Sequence, residues 1–292
     1  MTILVSSVSR ELIVMLSDSA ITVTHHEDEG VVYNEYETGS KYYRFPGVGC
    51  ITTWGDHIFN QLGRFLQRFN ISSSNHSVAD LAALTHRYLL EEYRKDPSDE
   101  LGFHIGGFDK QGKPHLHHVF WGFDRPRNPE QQAPSVRAYD HSDWVFLYNG
   151  RNDLAHIVIQ TIKDQLDAGL ESRFDLGTPY GHIALCDFIA RFAAEITPQV
   201  GPPFVINLIL SDNSIHTIEN TSYAPIPLQS IARLIPTLSP IRPQAKVTPV
   251  VTDLASSDAG MPTGTASVQP SGGIPRGSHA GTISPYEKWP IE

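Results

Sequence analysis

The sequence predicts an α+β fold in which two antiparallel β-sheets pack face to face, with a layer of helices on each outer side. This prediction rests on the order of patterns along the chain: strands, two helices, strands, two helices, strands. Strands that occur in blocks, rather than singly between helices, favour antiparallel sheets covered by helices. With 292 residues, 40% of them hydrophobic, the chain is long enough to fill such a core.

The first block of strands begins at the N-terminus. The pattern predicts two apolar strands, TILVSSV and ELIVMLSD, joined by a tight turn near Ser9 and Arg10. Two short strands are then predicted around Pro46 and Gly47, in the stretch SKYYRFPGVGCITTWGD.

Helices and further strands follow. Apolar residues at helical spacing predict two helices, in DHIFNQLGRFLQRFN and SVADLAALTHRYLLEEYRK, the second with Ser77 and Asp80 in capping-box positions. A hairpin is predicted in ELGFHIGGFDKQGKPHLHHVFWGF, turning at residues 110–112, and another strand in WVFLY. The second helix pair is predicted in NDLAHIVIQTIKDQLDAG and TPYGHIALCDFIARFAAEI, with Pro179 in the first turn of the latter. FVINLIL and SIHTIEN complete the set as strands.

The composition changes near the end of these patterns. Residues 1–236 are the predicted folded domain, whereas proline, glycine, serine and threonine dominate residues 237–292. Such a segment buries too little apolar surface to offset its ordering entropy, so we predict a disordered tail. Its last residues, PYEKWPIE, are interpreted as a solvated end, with a short docking peptide as the alternative.

Charge and cysteine usage limit the function classes. The net charge of −10 argues against binding to nucleic acid or to an anionic membrane. The N-terminal stretch has no basic segment and is interrupted by polar residues, so we expect neither a signal peptide nor a membrane span. Cys50 and Cys186 lie far apart in apolar stretches, which favours free thiols and a cytoplasmic location.

Thr2 is the first candidate for chemistry. If the initiator methionine is removed, Thr2 carries a hydroxyl nucleophile and a free α-amine, whose pKa of roughly 7.7–8.0 suits a base. A lysine beside the amine would lower that pKa, and a buried carboxylate would hold the lysine. Asp18 ends the second strand and can fold back beside Thr2, and Lys41 begins the next strand. The ordinary alternative is a small second residue that only permits methionine removal.

These residues resemble those of proteasome β-subunits and the HslV peptidase, which are N-terminal-nucleophile (Ntn) hydrolases. Thr2 and Asp18 are 18 − 2 = 16 positions apart and Lys41 precedes Gly55 by 55 − 41 = 14 positions, both as in that family. The stretches GGFDKQGKPHLHHVFWGF and YNGRNDLA are similar to the family's recurrent hairpin and to the turn that opens its third helix. The resemblance covers roughly residues 2–220 and implies a four-layer αββα Ntn-hydrolase sandwich.

The resemblance also implies roles. Thr2 would act as nucleophile and base, Lys41 would tune the amine, Asp18 would hold Lys41, and the Gly55 amide would donate to the oxyanion. The implied protein is a threonine peptidase or amidohydrolase that forms an acyl-enzyme on Thr2 without a cofactor. It would cleave peptides or other amides, assemble into a homo-oligomeric ring and have an ATP-dependent unfoldase as a candidate partner.

Several positions depart from the family. An insertion around THHEDEGVVYNE separates Asp18 from Lys41. Asn149 stands where proteasome subunits have a serine, and Thr197 and Val200 stand where the family has an aspartate and a serine before a glycine. These departures favour the alternative of a catalytically silent subunit with an assembly or binding role. A non-proteolytic amidase on the same fold is a third hypothesis.

Histidines raise the question of a metal. His115 and His117 alternate on one strand face, and HHEDE at residues 25–29 clusters potential ligands. Because no third ligand accompanies the pair at a diagnostic spacing, we interpret these residues as a solvated strand face and a loop. No metal is predicted.

Overall fold

A computed structural model describes residues 2–26, 32–55, 59–95, 101–121, 135–138, 145–150, 152–168 and 174–235. The strands in these residues are β1 (Ile3–Val8), β2 (Leu12–Asp18), β3 (Ala20–His26), β4 (Val32–Thr38), β5 (Tyr42–Phe45), β6 (Gly49–Gly55), β7 (Leu101–Phe108), β8 (Pro114–Trp121), β9 (Ser135–Ala138), β10 (Val145–Gly150), β11 (Phe204–Leu210) and β12 (Ile215–Asn220). The helices are α1 (Phe59–Gln67), α2 (Val78–Glu91), α3 (Asn152–Asp167), α4 (Pro179–Ile196) and α5 (Leu228–Leu234), with a 3₁₀ turn at Tyr93–Lys95.

The strands form two five-stranded antiparallel sheets and a separate hairpin. The first sheet has the order β10-β1-β2-β11-β12 and the second β5-β6-β7-β8-β9, while β3 and β4 pair with each other outside both sheets. Helices α3 and α4 pack on the first sheet and α1 and α2 on the second, with the two sheets in contact between them. The predicted α+β sandwich is confirmed.

The opening strands are buried on both faces because they lie inside this sandwich. Every residue of β1 and β2 is buried. Ile3 and Val5 pack in the cluster beneath α3 and α4, whereas Leu4 packs on Trp54 and Phe120 of the second sheet. The polar residues of β1 must therefore find hydrogen-bond partners inside the protein.

Local capping matches the sequence. Ser77 and Asp80 form the predicted capping box at α2, and Thr178 caps α4 with Pro179 in its first turn. The predicted hairpin turn closes β7 and β8, where the Gly112 N–H donates to the Asp109 carbonyl. These caps satisfy backbone groups that a helix or strand end leaves unpaired.

Some elements were not predicted. The insertion before Lys41 folds as the β3–β4 hairpin, so His25 and His26 belong to a strand and our loop interpretation was wrong for them. Strand β9 and helix α5 were also missed. Residues 27–29 of the HHEDE stretch and the tail 237–292 lie outside the described residues, so the domain boundary stays a prediction. Among the described helices, none has the length and apolar character to span a membrane.

Candidate active site

Thr2 directly precedes β1 and is almost fully buried. The β1–β2 ladder pairs Leu4 with Ser17, which brings the start of β1 alongside the end of β2. On the other side, Ile3 pairs with Gly150, the last residue of β10. Thr2 therefore enters the first sheet between the ends of two neighbouring strands, and its position is fixed by both ladders.

Asp18 ends β2 and is completely buried. Its Oδ1 atom accepts the N–H of Ile3 at 3.0 Å, and its Oδ2 atom accepts the N–H of Ala20 at 3.2 Å. The predicted return of Asp18 to the start of β1 is thus the observed geometry. Both carboxylate oxygens are held by backbone donors, so the carboxylate has one defined orientation beside Thr2.

Lys41 lies one residue before β5 and is only 5% exposed. Its Nζ atom donates to Thr2 Oγ1 at 2.9 Å, to Asp18 Oδ1 at 3.0 Å and to the Ala20 carbonyl at 2.5 Å. These three acceptors use all three donors of an ammonium group. Thr2, Asp18 and Lys41 therefore meet at one buried nitrogen, and their catalytic roles stay a prediction.

Burial governs the electrostatics of this group. It lowers the pKa of the Lys41 ammonium, against the opposing charge of Asp18. Burial also raises the pKa of Asp18, while the Lys41 ammonium and the Ile3 N–H act in the opposite direction. A lysine with a lowered pKa, held against a hydroxyl, can stabilise an alkoxide or exchange a proton with it.

Two glycines lie at strand ends near Thr2. Gly55 ends β6 with φ of 88°, one residue after Trp54, which packs on Leu4. This places Gly55 at the end of the second sheet that faces the start of β1, and its oxyanion role remains a prediction. Gly150 also has φ of 88°, and a Cβ there would lie 1.8 Å from the Thr2 carbonyl oxygen. Only glycine lets β10 approach Thr2 this closely.

Ser6, His104 and Asn149 form a buried series of hydrogen-bonded side chains that we did not predict. His104 on β7 is fully buried; its Nδ1 lies 2.8 Å from Ser6 Oγ and its Nε2 lies 2.6 Å from Asn149 Oδ1. Asn149, expected only as a departure from the family, thus joins the two sheets. The signal was a lone histidine in the apolar stretch LGFHIGGF, but sequence alone gives it no partner.

The loop after α4 contacts the site through backbone. The carbonyl of Gly201 accepts the N–H of Ser19 at 3.4 Å, next to Asp18. Thr197 is the C-cap of α4, and Val200 is buried in the apolar cluster beneath the first sheet. Thr197 therefore ends a helix, and Val200 packs in the core.

The remaining titratable candidates are structural in character. His117 is fully buried, so our interpretation of a solvated strand face was wrong for it, whereas His115 bonds Asp109 at 3.0 Å in the hairpin turn. Within the part of the chain that the structure describes, no cluster of three or more potential metal ligands occurs. Cys50 and Cys186 are free, and burial raises the pKa of both thiols.

The fold of the described residues is two antiparallel sheets between helix layers. Solved structures of Anbu (ancestral beta-subunit) proteins share it. Anbu from Yersinia bercovieri has a TM-score of 0.53 at 15% identity, covering 75% of this chain and 87% of its own. The helical assembly of the Anbu complex from Pseudomonas aeruginosa has a TM-score of 0.54 at 19% identity, covering 83% and 98%. The Anbu (Gly-1) mutant from Hyphomicrobium sp. strain MC1 has a TM-score of 0.53 at 14% identity, covering 76% and 89%.

These likenesses establish a shared fold and correct the family expectation. The resemblance to proteasome β-subunits and HslV was wrong as a family assignment, because these structural relatives are Anbu proteins, a distinct family of the same fold class. At such identities the motif intervals alone could not distinguish families that share a fold. Neither the protein-family models nor the curated protein sequences match this chain.

Proposed function

We propose that this protein is a threonine-type N-terminal-nucleophile amidohydrolase that acts through Thr2 after removal of Met1. One observation carries the proposal: a buried lysine nitrogen lies 2.9 Å from the Thr2 hydroxyl and 3.0 Å from the Asp18 carboxylate. A cation held by a carboxylate against a hydroxyl at the N-terminus is the arrangement that activates this residue as a nucleophile.

The reaction follows from these groups. The neutral α-amine of Thr2 takes the proton from Oγ1, and the alkoxide, stabilised by Lys41, attacks the carbonyl carbon of the amide. The tetrahedral intermediate collapses as the protonated α-amine gives its proton to the leaving nitrogen, which leaves an ester on Oγ1. Water, deprotonated by the same amine, then hydrolyses the ester and returns Thr2 to its starting state.

Lys41 and Asp18 have separate parts in this scheme. The ammonium lowers the free energy of the alkoxide, and its charge lowers the pKa of the neighbouring α-amine so that more of it is neutral. Asp18 holds the ammonium and supplies the charge that keeps it protonated despite burial. The N–H of Gly55 is proposed to donate to the oxyanion, a contribution typically of about 3–4 kcal/mol to the transition state.

Substrate and partners are inferred more broadly. We propose peptides or related amides as substrates and self-assembly of this chain, since an Anbu complex from Pseudomonas aeruginosa forms a helical assembly. A ring, an ATP-dependent unfoldase partner and a cytoplasmic location remain part of the same proposal. Size-exclusion chromatography with light scattering, followed by electron microscopy, tests the assembly; a monomer at micromolar concentration would contradict it.

The direct test is intact mass and peptide mapping before and after incubation with a β-lactone electrophile. We expect protein without Met1 and a single adduct on Thr2. Lys41→Ala should abolish the adduct, whereas Lys113→Ala, in the β7–β8 turn, should leave it unchanged. Retained Met1, or a free Thr2 that never reacts, would overturn the proposal and leave the silent-subunit alternative. Parallel assays with small amides and with peptides distinguish an amidase from a peptidase.

A further inference from the structure

The Asn149 amide has one satisfied and one unsatisfied end. Its Oδ1 atom lies 2.6 Å from His104 Nε2, while its Nδ2 atom is buried and has no hydrogen-bond partner among the described residues. Asn149 is only 1% exposed. A buried amide group without a partner costs free energy, so such a group in a native protein calls for a ligand, a water or a function.

The register of β1 and β10 places this amide beside the candidate nucleophile. Asn149 pairs directly with Leu4, so Thr2 is its diagonal neighbour across the ladder. Diagonal neighbours in an antiparallel pair lie roughly 7–8 Å apart, which leaves space for one acyl oxygen or one water between the side chains. The next residue, Gly150, already touches the Thr2 carbonyl through its backbone.

The hydrogen-bond partners of His104 determine which atom of the Asn149 side-chain amide, Oδ1 or Nδ2, has no partner. Burial lowers the pKa of His104 to about 3, so the ring is neutral near pH 7, with one donor and one acceptor nitrogen. If Ser6 donates its hydroxyl to Nδ1, then Nε2–H donates to Asn149 Oδ1, and among the polar side-chain atoms of Ser6, His104 and Asn149 this leaves Nδ2 of Asn149 unpaired within the described residues. The reverse tautomer would require a flipped amide and would leave the Ser6 hydroxyl without an acceptor.

We propose that Ser6 and His104 form a positioning relay that fixes the Asn149 side chain with Nδ2 as a donor toward the Thr2 site. This inference rests on the proposed function and extends it. Nδ2 donates, directly or through one water, to an oxygen of the acyl group that Thr2 carries during the reaction. Asn149 is thus a further donor to the substrate, and His104 and Ser6 act only through it.

Burial rules out a nucleophilic role for the relay itself. Ser6 and His104 are both 0% exposed, and the buried Leu4 separates Ser6 from Thr2 along β1. The order hydroxyl, imidazole, amide would otherwise resemble a serine triad. A substrate carbonyl cannot reach Ser6 without opening the space between the sheets.

The test compares two asparagines that share burial and chemistry. Asn207 on β11 is likewise buried, at 0% exposed, and also has a buried Nδ2 atom without a partner in the described part of the chain. It pairs with Met15 of β2, however, and β11 is three positions away from β10 in the sheet. The titratable side chains that face Asn149 are His104 on β7, with His118 of β8 against its ring, and the Asp18–Lys41 pair beside Thr2.

The experiment measures the rate of β-lactone adduct formation on Thr2 as a function of pH. Asn149→Ala should lower the rate about 10–100-fold, as expected for loss of one hydrogen bond to an oxygen that gains charge, and Asn207→Ala should leave it unchanged. Asn149→Asp should raise the pH midpoint by about half a unit or more, because a carboxylate beside the amine favours its protonated form. His104→Phe should reduce the rate through Asn149, so combining it with Asn149→Ala should add little.

The outcomes separate the two proposals. A wild-type Thr2 that does not react overturns the proposed function and this inference together. A reactive Thr2 whose rate and pH midpoint are the same in wild type, Asn149→Ala, Asn149→Asp and the Asn207→Ala control overturns the relay alone. Thermal unfolding of each variant shows whether it is folded, and if Asn149→Asp does not fold, the Asn149→Ala and Asn207→Ala pair decides the question.

Discussion

Replacement of Lys41 by methionine is the most informative perturbation of this site. Methionine keeps the apolar stem of the side chain but removes the terminal ammonium, which leaves Asp18 completely buried without its cation. Removing one partner of a buried ion pair typically costs about 3–5 kcal/mol, because the remaining charge is uncompensated. Two backbone donors still hold Asp18, so we expect about 3 kcal/mol, at the lower end of that range.

The pH dependence of this loss has a definite sign. Without Lys41, the pKa of Asp18 rises further above its value in the unfolded chain, because burial is then opposed only by hydrogen bonds. A raised pKa in the folded state means that the native protein binds more protons, so its stability increases as pH falls. The difference between wild type and Lys41→Met should therefore be largest near pH 7 and shrink toward pH 4.

A double-mutant cycle isolates the pair. Asp18→Asn combined with Lys41→Met removes both charges, and we expect the double variant to be more stable than the sum of single losses by about 2–3 kcal/mol. Urea denaturation measures stability, and adduct formation on Thr2 measures reactivity in the same samples. Reactivity should be absent in all three variants. Wild-type stability together with wild-type reactivity in Lys41→Met would refute the reasoning.

Three further predictions concern other parts of the chain. Gly150→Ala should lower the free energy of unfolding by about 3 kcal/mol and slow Thr2 acylation, because the added Cβ meets the Thr2 backbone. Gly112→Ala, at a residue with φ of 74° and open space around it, should lower that free energy by only about 1 kcal/mol. Equal losses in urea denaturation would contradict this. Burial lowers the pKa of His104 to about 3 and that of His182 to about 4. Both side chains therefore take up protons on unfolding below pH 6.5, and the free energy of unfolding should fall there by up to about 2.7 kcal/mol per pH unit. His182→Gln should halve that slope in urea titrations, and an unchanged slope would exclude this origin. Ser77→Ala should cost about 1 kcal/mol through its capping box and leave Thr2 reactivity unchanged; a change in reactivity would argue against a purely local effect.

Much of the fold could be predicted from the sequence, because the patterns that specify strands, turns and helices are local. Two apolar strands with a tight turn already imply that Asp18 returns to the start of β1, and the ladder of Leu4 with Ser17 realises this. Lys41 was harder, because the β3–β4 hairpin intervenes and only the interval to Gly55 supported the assignment. The pairing of two strands that follow each other in sequence is encoded locally. The contact between residues far apart in sequence, such as Lys41 and Thr2, is set by tertiary packing.

The polar interior could not be predicted in the same way. Alternation of apolar and polar residues normally assigns the polar side to solvent, but both faces of the central strands are covered in a four-layer sandwich. His104 and His117, which alternation would place in water, are both 0% exposed. The partners of His104, Ser6 and Asn149, lie on strands far away in sequence, and no local pattern encodes such pairs. Because its partner His104 is distant in sequence, Asn149 could be recognised from the sequence only as a departure from the family pattern.

The energetics of the Lys41–Asp18 pair bear on whether the site is functional or silent. A buried ion pair is weak support for stability, since a well-packed apolar pair of similar volume is often as stable or more so. A protein that needed only a folded subunit would gain little from placing these charges between its sheets. The pair instead directs the Lys41 ammonium, whose pKa burial lowers, at the Thr2 hydroxyl. Groups with shifted pKa values and a specific charged partner concentrate at functional sites. If the double variant is as stable as the wild type and unreactive, the pair serves chemistry; if it is much less stable, the pair serves folding.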